Sequence, residues 1–123
     1  MKKEPSLEVS ILIDMKKYRI RIHKHTLHLL GDPEYILLLI NPESMEVAIR
    51  SVDRVSPGDQ THTVSKKTMQ SDNSIEIYSQ SFIKKLKEIT PGIKDGFSYR
   101  LLGEILPADS LAVFSLKTLT QIN

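Results

Sequence analysis

A chain of 123 residues with 40% hydrophobic and 26% charged residues has the composition of one globular domain, which excludes a globally disordered chain. The formal net charge of +2 permits a polyanionic partner without requiring one. Because the sequence has no cysteine, disulfides, thiolate catalysis and cysteine-based zinc sites are excluded. We therefore expect a single soluble, cytoplasmic domain over residues 1–123.

We expect neither a secretion signal nor a membrane span in this sequence. The basic start at Met1 to Lys3 is followed by no apolar segment of signal-peptide length. The longest apolar run, Tyr35 to Ile40, is far shorter than the ~20 residues that a membrane helix needs. These features predict a protein with no membrane partner.

The first part of the chain is predicted to form two strands, a short helix and a β-hairpin. Apolar and polar residues alternate from Leu7 to Ile13 and from Arg19 to His23, the period of a strand with one buried face. His25 to Leu30 can form one or two helical turns, which the following glycine ends. The hairpin then consists of Tyr35 to Ile40 and Met45 to Val52.

A connector and a second strand-helix pair follow. Residues 53–74 are rich in turn-forming residues, and we predict one short strand within them at His62 to Ser65. Ile75 to Tyr78 is predicted to be a strand. Either Ser79 or Ser81 can cap the helix that comes after it.

The chain ends in a second predicted hairpin. Its long first strand, Phe97 to Leu106, contains Gly103, which favours a bend or bulge at that position. Its second strand is Leu111 to Leu116. The tail from Lys117 onward is short, and we expect it to fray.

The order of strand, helix and hairpin occurs twice, with similar apolar spacing. In the first half, residues 7–52, the matching segments are Ile20-x-Ile22, Tyr35-x-Leu37-Leu38, Ile40-x-Pro42 and Ser44-Met45-x-Val47. In the second half, residues 61–117, they are Ile75-x-Ile77, Tyr99-x-Leu101-Leu102, Ile105-x-Pro107 and Ser110-Leu111-x-Val113. Each half is too small to bury its own apolar face. We predict an α+β, β-rich fold in which two ββαββ-like half-repeats combine into one barrel-like domain. The alternative is that any two hairpins of Leu, Ile and Val would match this well.

The first half resembles the AbrB/MazE/MraZ class of small bacterial DNA-binding domains. The motif of that class runs from a strand through an Arg-x-apolar-Pro-Lys-like turn and a short helix ending in Leu-Gly to a β-hairpin. Here Arg19 to Lys24 match the strand and turn, Leu30-Gly31 match the helix end, and Tyr35 to Ile49 match the hairpin. The resemblance covers about residues 16–52, with His23 where the class has proline.

This resemblance implies a barrel in which cationic side chains beside the strand and the helix start face nucleic-acid phosphates. The matching positions, which we call the basic cluster, are Lys16, Lys17, Arg19, Arg21 and Lys24. No acidic residue interrupts the basic cluster in sequence, and affinity from phosphate contacts falls steeply with salt. The simpler interpretation of the alternating arginines is a solvated sheet face.

Other chemistry finds little support in the sequence. The cluster of His23, His25 and His28 contains no cysteine and no acidic residue with which to complete a zinc site. Ser81-Phe82-Ile83-Lys84 and Ser71-Asp72-Asn73 match motifs of penicillin-binding enzymes, but in reversed order and without the Lys-Thr-Gly element. We therefore expect no enzymatic activity, no metal and no cofactor.

Two functions remain open. The first is a non-enzymatic, transcription-regulator-like domain that binds nucleic acid, with DNA as the implied partner. The alternative is a protein-interaction or assembly module with no nucleic-acid role. Units of the AbrB class usually come together from two chains, so the resemblance also implies a second copy of this chain as a partner, in a homodimer.

Overall fold

Within residues 8–55, 58, 60–64 and 73–122, which the computed structural model describes, the chain forms eight strands and two α-helices. The strands are β1 (Glu8–Asp14), β2 (Arg19–His23), β3 (Tyr35–Asn41), β4 (Glu46–Val52), β5 (Thr61–Thr63), β6 (Ser74–Tyr78), β7 (Ser98–Leu106) and β8 (Leu111–Gln121). The helices are α1 (Lys24–Leu29) and α2 (Gln80–Ile89). Much of the predicted connector, including Ser65 at the end of its expected strand, lies outside the described residues.

All eight strands belong to one antiparallel sheet in the order β5-β3-β4-β8-β7-β1-β2-β6. The sheet is nearly closed, because Gln60, just before β5, contacts the chain just after β6. The Gln60 side-chain oxygen accepts a hydrogen bond from Ser79 Oγ at 2.9 Å, and its side-chain nitrogen donates to Ser81 Oγ at 2.8 Å. The prediction of a strand-rich, barrel-like fold is confirmed.

Strands from the early and late parts of the chain are neighbours throughout this sheet. β1 pairs with β7, β2 with β6, β3 with β5, and β4 with β8. Both parts therefore contribute side chains to one interior, which includes Ile20 of β2, Ile49 of β4 and Phe114 of β8. This arrangement explains how a chain with no tryptophan builds a core from Ile, Leu and Val.

The two helices pack into the same core through short apolar faces. In α1 the buried residues include Leu27, and in α2 they are Phe82, Ile83 and Leu86. α2 begins at Ser79, whose hydroxyl oxygen accepts a hydrogen bond from the backbone N–H of Phe82. Because β2 and β6 run antiparallel side by side, the helices that follow them begin at opposite ends of this strand pair.

Gly103 lies directly opposite Phe114 in the pairing of β7 with β8. A Cβ atom at this position would collide with the carbonyl oxygen of Val113 and with the Phe114 ring. The predicted bend or bulge is therefore not at Gly103. The irregular part of the ladder falls between Arg100 and Leu102.

β8 continues to Gln121 rather than ending at Leu116, so the prediction of a frayed tail from Lys117 is wrong. Gln121 pairs with Tyr99. Beyond the strand, the N–H of Ile122 donates to the carbonyl oxygen of Ser98 at 2.9 Å. The tail is held because β7 is long enough to pair with it.

The match that the sequence suggested between the two hairpins holds at one position and fails at another. The match of Pro42 with Pro107 holds, since each proline directly follows the first strand of its hairpin. The match of Val47 with Val113 is wrong. Val47 is fully buried, whereas Val113 faces outward. The residues on either side of Val113, Ala112 and Phe114, are the ones that face inward. An error of one residue reverses the face of every side chain in a strand.

Candidate nucleic-acid interface

Asp14 organises the turn that carries the first two residues of the basic cluster. Its Oδ1 atom accepts hydrogen bonds from the backbone N–H groups of Lys16 at 2.8 Å and Lys17 at 3.3 Å. Tyr18 closes the turn in the left-handed conformation, with φ of 52°. Lys16 and Lys17 are both exposed, so this fixed backbone presents two ammonium groups to solvent.

Arg19 is held between two carboxylates and a tyrosine ring. Its Nε atom donates to Asp14 Oδ2 at 2.8 Å, and its Nη1 atom donates to Glu76 and to the Tyr78 hydroxyl. The guanidinium carbon lies 6.0 Å from the centroid of the Tyr78 ring. Only 12% of the Arg19 side chain is exposed, so its main role is to join β1, β2 and β6.

Arg21, the next outward residue of β2, is paired less completely. Its Nη2 atom donates to Glu76 Oε2 at 2.8 Å, while 42% of its side chain remains exposed. The hydrogen bond from Arg21 is the main reason that the pKa of Glu76 lies below its ordinary value. Glu76 is therefore ionised at neutral pH and offsets one positive charge of the basic cluster.

The second carboxylate, Asp14, is also ionised. Its burial works to raise its pKa, but hydrogen bonds from the Lys16 backbone and the Arg19 side chain outweigh burial and lower the pKa. The basic cluster is thus free of acids in sequence but not in space. The ion pairs of Asp14 and Glu76 engage both arginines, which leaves the three lysines as the cations of the cluster that no described acid pairs with.

Lys24 lies at the opposite end of β2 from the turn, where α1 begins. Its backbone N–H donates to the carbonyl oxygen of Asn73 at 2.7 Å, and its side chain is exposed. Across the described residues, no carboxylate comes within 4.0 Å of the ammonium groups of Lys16, Lys17 or Lys24. We call these three residues the exposed lysines.

A groove on the outer face of β1 and β2 brings four of the five predicted residues together. It has a volume of about 460 Å³ and is lined by Lys16, Lys17, Arg19 and Arg21, together with Leu12 and Ile122. A second groove of about 310 Å³ continues on the other side of Arg21 towards Arg100 and His23. Lys24 does not line either groove, so the basic cluster spans more surface than one small-molecule pocket.

Sequence reasoning missed Glu76 and Arg100 as parts of this surface. Glu76 lies 57 residues from Arg19, and Arg100 reaches the surface because it pairs with Leu12 across the β1–β7 ladder. Alternation along β6 and β7 could have shown that both side chains face outward. No local pattern indicates which strands lie side by side.

Lys87 of α2 is linked to Tyr18 in the β1–β2 turn through the carboxylate of Asp95. Its Nζ atom donates to Asp95 Oδ2 at 2.8 Å, and the Tyr18 hydroxyl donates to Asp95 Oδ1 at 2.6 Å. Lys87 first, and Tyr18 second, lower the pKa of Asp95. Because Lys87 is paired in this way, it adds little positive charge to the basic cluster.

The three neighbouring histidines have local structural roles. His23 Nδ1 accepts a hydrogen bond from the N–H of His25 at 3.0 Å and caps α1. His28 Nδ1 lies 3.1 Å from Asp32 Oδ2, one helical turn away. In the part of the chain that the structure describes, no three His, Asp or Glu side chains are arranged to hold a metal ion.

Comparisons with protein-family models, with curated proteins and with solved structures found no match to this chain. Among the described residues, neither helix is long and apolar enough to cross a membrane.

Proposed function

We propose that the chain is a tandem of two ββαββ units that resemble the AbrB class and form one non-enzymatic, nucleic-acid-binding barrel. The order of elements supports this, because two strands, a helix and two strands occur twice. The hairpin turns support it too. Each has a proline after its first strand and a left-handed residue before its second, Met45 with φ of 57° and Ser110 with φ of 50°.

The strand pairing is what two interlocked copies would produce. Exchanging β1 to β4 with β5 to β8 converts the β1–β7 pair into β5–β3 and leaves the β2–β6 and β4–β8 pairs unchanged. It also converts β3–β4 into β7–β8. Only the β1–β2 pair lacks its counterpart, β5–β6, among the described strands, and that is where the sheet is open.

The observation that carries the binding function is the set of exposed lysines beside a groove whose carboxylates are already paired. Lys17 and Lys24 bracket the five residues of β2, which separates them by about 20 Å at the rise of a strand. About six base pairs of duplex DNA span the same axial length. Ammonium groups that are not engaged by protein acids can exchange their counterions for phosphates at little cost.

The test measures binding of a fluorescent DNA duplex, and of an RNA of the same sequence, over a series of salt concentrations. The variant replaces the exposed lysines by glutamine: Lys16→Gln, Lys17→Gln and Lys24→Gln. We expect weaker binding and a salt slope smaller by about 3, one unit for each phosphate that the variant no longer neutralises. The arginines are left unchanged because their ion pairs support the sheet.

The matched control removes three exposed lysines from elsewhere: Lys84→Gln and Lys85→Gln on α2 and Lys117→Gln on β8. It has the same net charge as the test variant, and it should retain most of the binding. Loss of binding that is equal in both variants would mean that only net charge matters. No binding of DNA or RNA even at low salt would reject the proposal.

A second candidate function is a protein-interaction or assembly module, and one observation favours it. Leu102 is 52% exposed, and Ile122, which lines the groove, is 41% exposed. Exposed apolar groups beside charged ones are typical of protein-binding surfaces. This function would leave the chain without salt-dependent affinity for nucleic acid.

A further inference from the structure

Three successive outward residues of β7 form a charged, apolar and oppositely charged series. Arg100 is exposed, Leu102 is 52% exposed, and Glu104 is exposed. Residues two apart on a strand face the same side, so these three side chains lie in a row with Leu102 about 7 Å from each neighbour. Leu102 is unusual among them, because a leucine in mid-strand is more often buried.

The surroundings of this row extend the separation of charge. On the Glu104 side, a depression of about 310 Å³ is lined by Leu102 together with Glu8, Glu46 and Glu104. On the Arg100 side lies the groove that also contains Arg21 and the apolar side chains of Leu12 and Ile122. Leu102 thus separates an acidic depression from a basic one.

We propose that this face binds a second copy of the same chain through a two-fold axis that crosses β7 at Leu102. Rotation about such an axis sets the two β7 strands antiparallel and face to face. The two Leu102 side chains then meet at the axis. Arg100 of each copy lies against Glu104 of the other, which gives two equivalent ion pairs.

A second copy fits this face because a two-fold interface must be complementary to itself. A row that is positive, apolar and negative in turn meets this requirement. When the partner's strand runs in the opposite direction, each charged side chain lies beside one of opposite charge. A uniformly basic or acidic partner would match only half of the row and be repelled by the other half. The pattern therefore favours self-association over binding of a polyanion at β7.

The interface is expected to be small. The outer surface of a barrel is convex, so only β7 and its neighbours can touch their counterparts, and the buried area falls at the low end of known interfaces. We expect a dissociation constant on the order of 100 µM. The exposed lysines lie on the β1–β2 turn and at the start of α1, so the proposal does not depend on nucleic-acid binding.

The experiment measures sedimentation equilibrium of the full chain over a range of protein concentrations. Leu102→Ser, Arg100→Glu and Glu104→Arg are each expected to weaken the dimer about tenfold or more, because every substitution acts twice in a symmetric interface. The double variant Arg100→Glu with Glu104→Arg restores both ion pairs in reversed polarity and should recover most of the affinity. All three side chains are exposed, so the variants should fold, which circular dichroism verifies.

Val55→Ser is the matched control, because Val55 is 53% exposed and follows β4, which does not pair with β7. It should leave the association unchanged. A chain that stays monomeric at its highest soluble concentration would overturn the proposal. Three other results would also do so: a dimer indifferent to Leu102→Ser, weakening by Val55→Ser equal to that by Leu102→Ser, or a double variant as weak as the single ones.

Discussion

Asp14 is the residue on which the candidate site most depends. One of its oxygens fixes the backbone of the turn at Lys16 and Lys17, and the other holds the Arg19 side chain. Its side chain is only 8% exposed. A buried carboxylate of this kind is stabilised by its partners, and its loss would leave Arg19 with one acidic partner, Glu76.

Replacing Asp14 by asparagine should therefore destabilise the fold by about 2 kcal/mol at neutral pH. An amide keeps an acceptor for the turn but removes the charge that pairs with Arg19. Urea unfolding followed by circular dichroism measures the change. A free energy of unfolding equal to that of the unchanged chain would contradict this account of the turn.

Stability should also fall in acid, because the pKa values of Asp14 and Glu76 are both lowered in the folded chain. Below about pH 4.5 the unfolded chain takes up protons on these carboxyls before the folded chain does, so acid favours unfolding. The loss should continue until the pH passes the folded pKa values. In Asp14→Asn the free energy of unfolding should fall less steeply as the pH is lowered, which urea unfolding at several pH values measures. An unchanged slope would mean that Asp14 does not contribute to this loss.

Four of the five residues predicted from the sequence line one groove, but the sequence did not show that an acid pairs with the two arginines. Arg19 and Arg21 were predicted to face phosphates, and Glu76 occupies their guanidinium groups instead. The acid is distant in sequence, and only strand pairing brings it close. The lysines, which no described acid engages, remain as predicted binding residues.

Individual elements follow closely from local sequence. The alternation of Ile20 and Ile22 with arginine specifies β2, and Ser79 begins α2, as one of the two predicted capping positions. Gly31, with φ of 88°, ends the turn after α1 as expected. These features need only residues within one or two helical turns of each other, which is why sequence patterns reveal them.

The end of β8 could not be predicted in this way, because nothing in Lys117 to Gln121 shows that β7 extends beside it. The structure pairs this segment with Tyr99 and Arg100. The Thr118 hydroxyl oxygen also accepts a hydrogen bond from the N–H of Leu102 at 2.8 Å. The segment is thus part of the sheet.

A chain that ends at Leu116 should consequently be less stable by about 3 kcal/mol, since it forgoes several ladder hydrogen bonds and the packing of Leu119 against the core. Thermal unfolding of this truncated chain measures the difference. A companion chain that ends at Ile122 keeps these interactions and should match the full-length chain. An unchanged midpoint in the shorter chain would mean that the tail contributes nothing.

For the molecule as a whole, the sequence predicted that neither half could form an interior alone, and the sheet agrees with that expectation. Strands of each half lie beside strands of the other at four places. What the sequence could not supply was the order of the strands, because pairing depends on contacts between residues far apart in the chain. That order places β2, with the turn before it and the start of α1 after it, between β1 and β6 on one side of the barrel.

Nucleic-acid binding by this side of the barrel is the function that we propose. It is tested most directly by recording amide NMR spectra of the ¹⁵N-labelled full chain while a mixed-sequence DNA duplex is added at low salt. We predict chemical-shift changes at Lys16, Lys17, Arg21 and Lys24, and none along β3 on another part of the sheet. Changes centred on β3, or no changes at any duplex concentration, would contradict the claim.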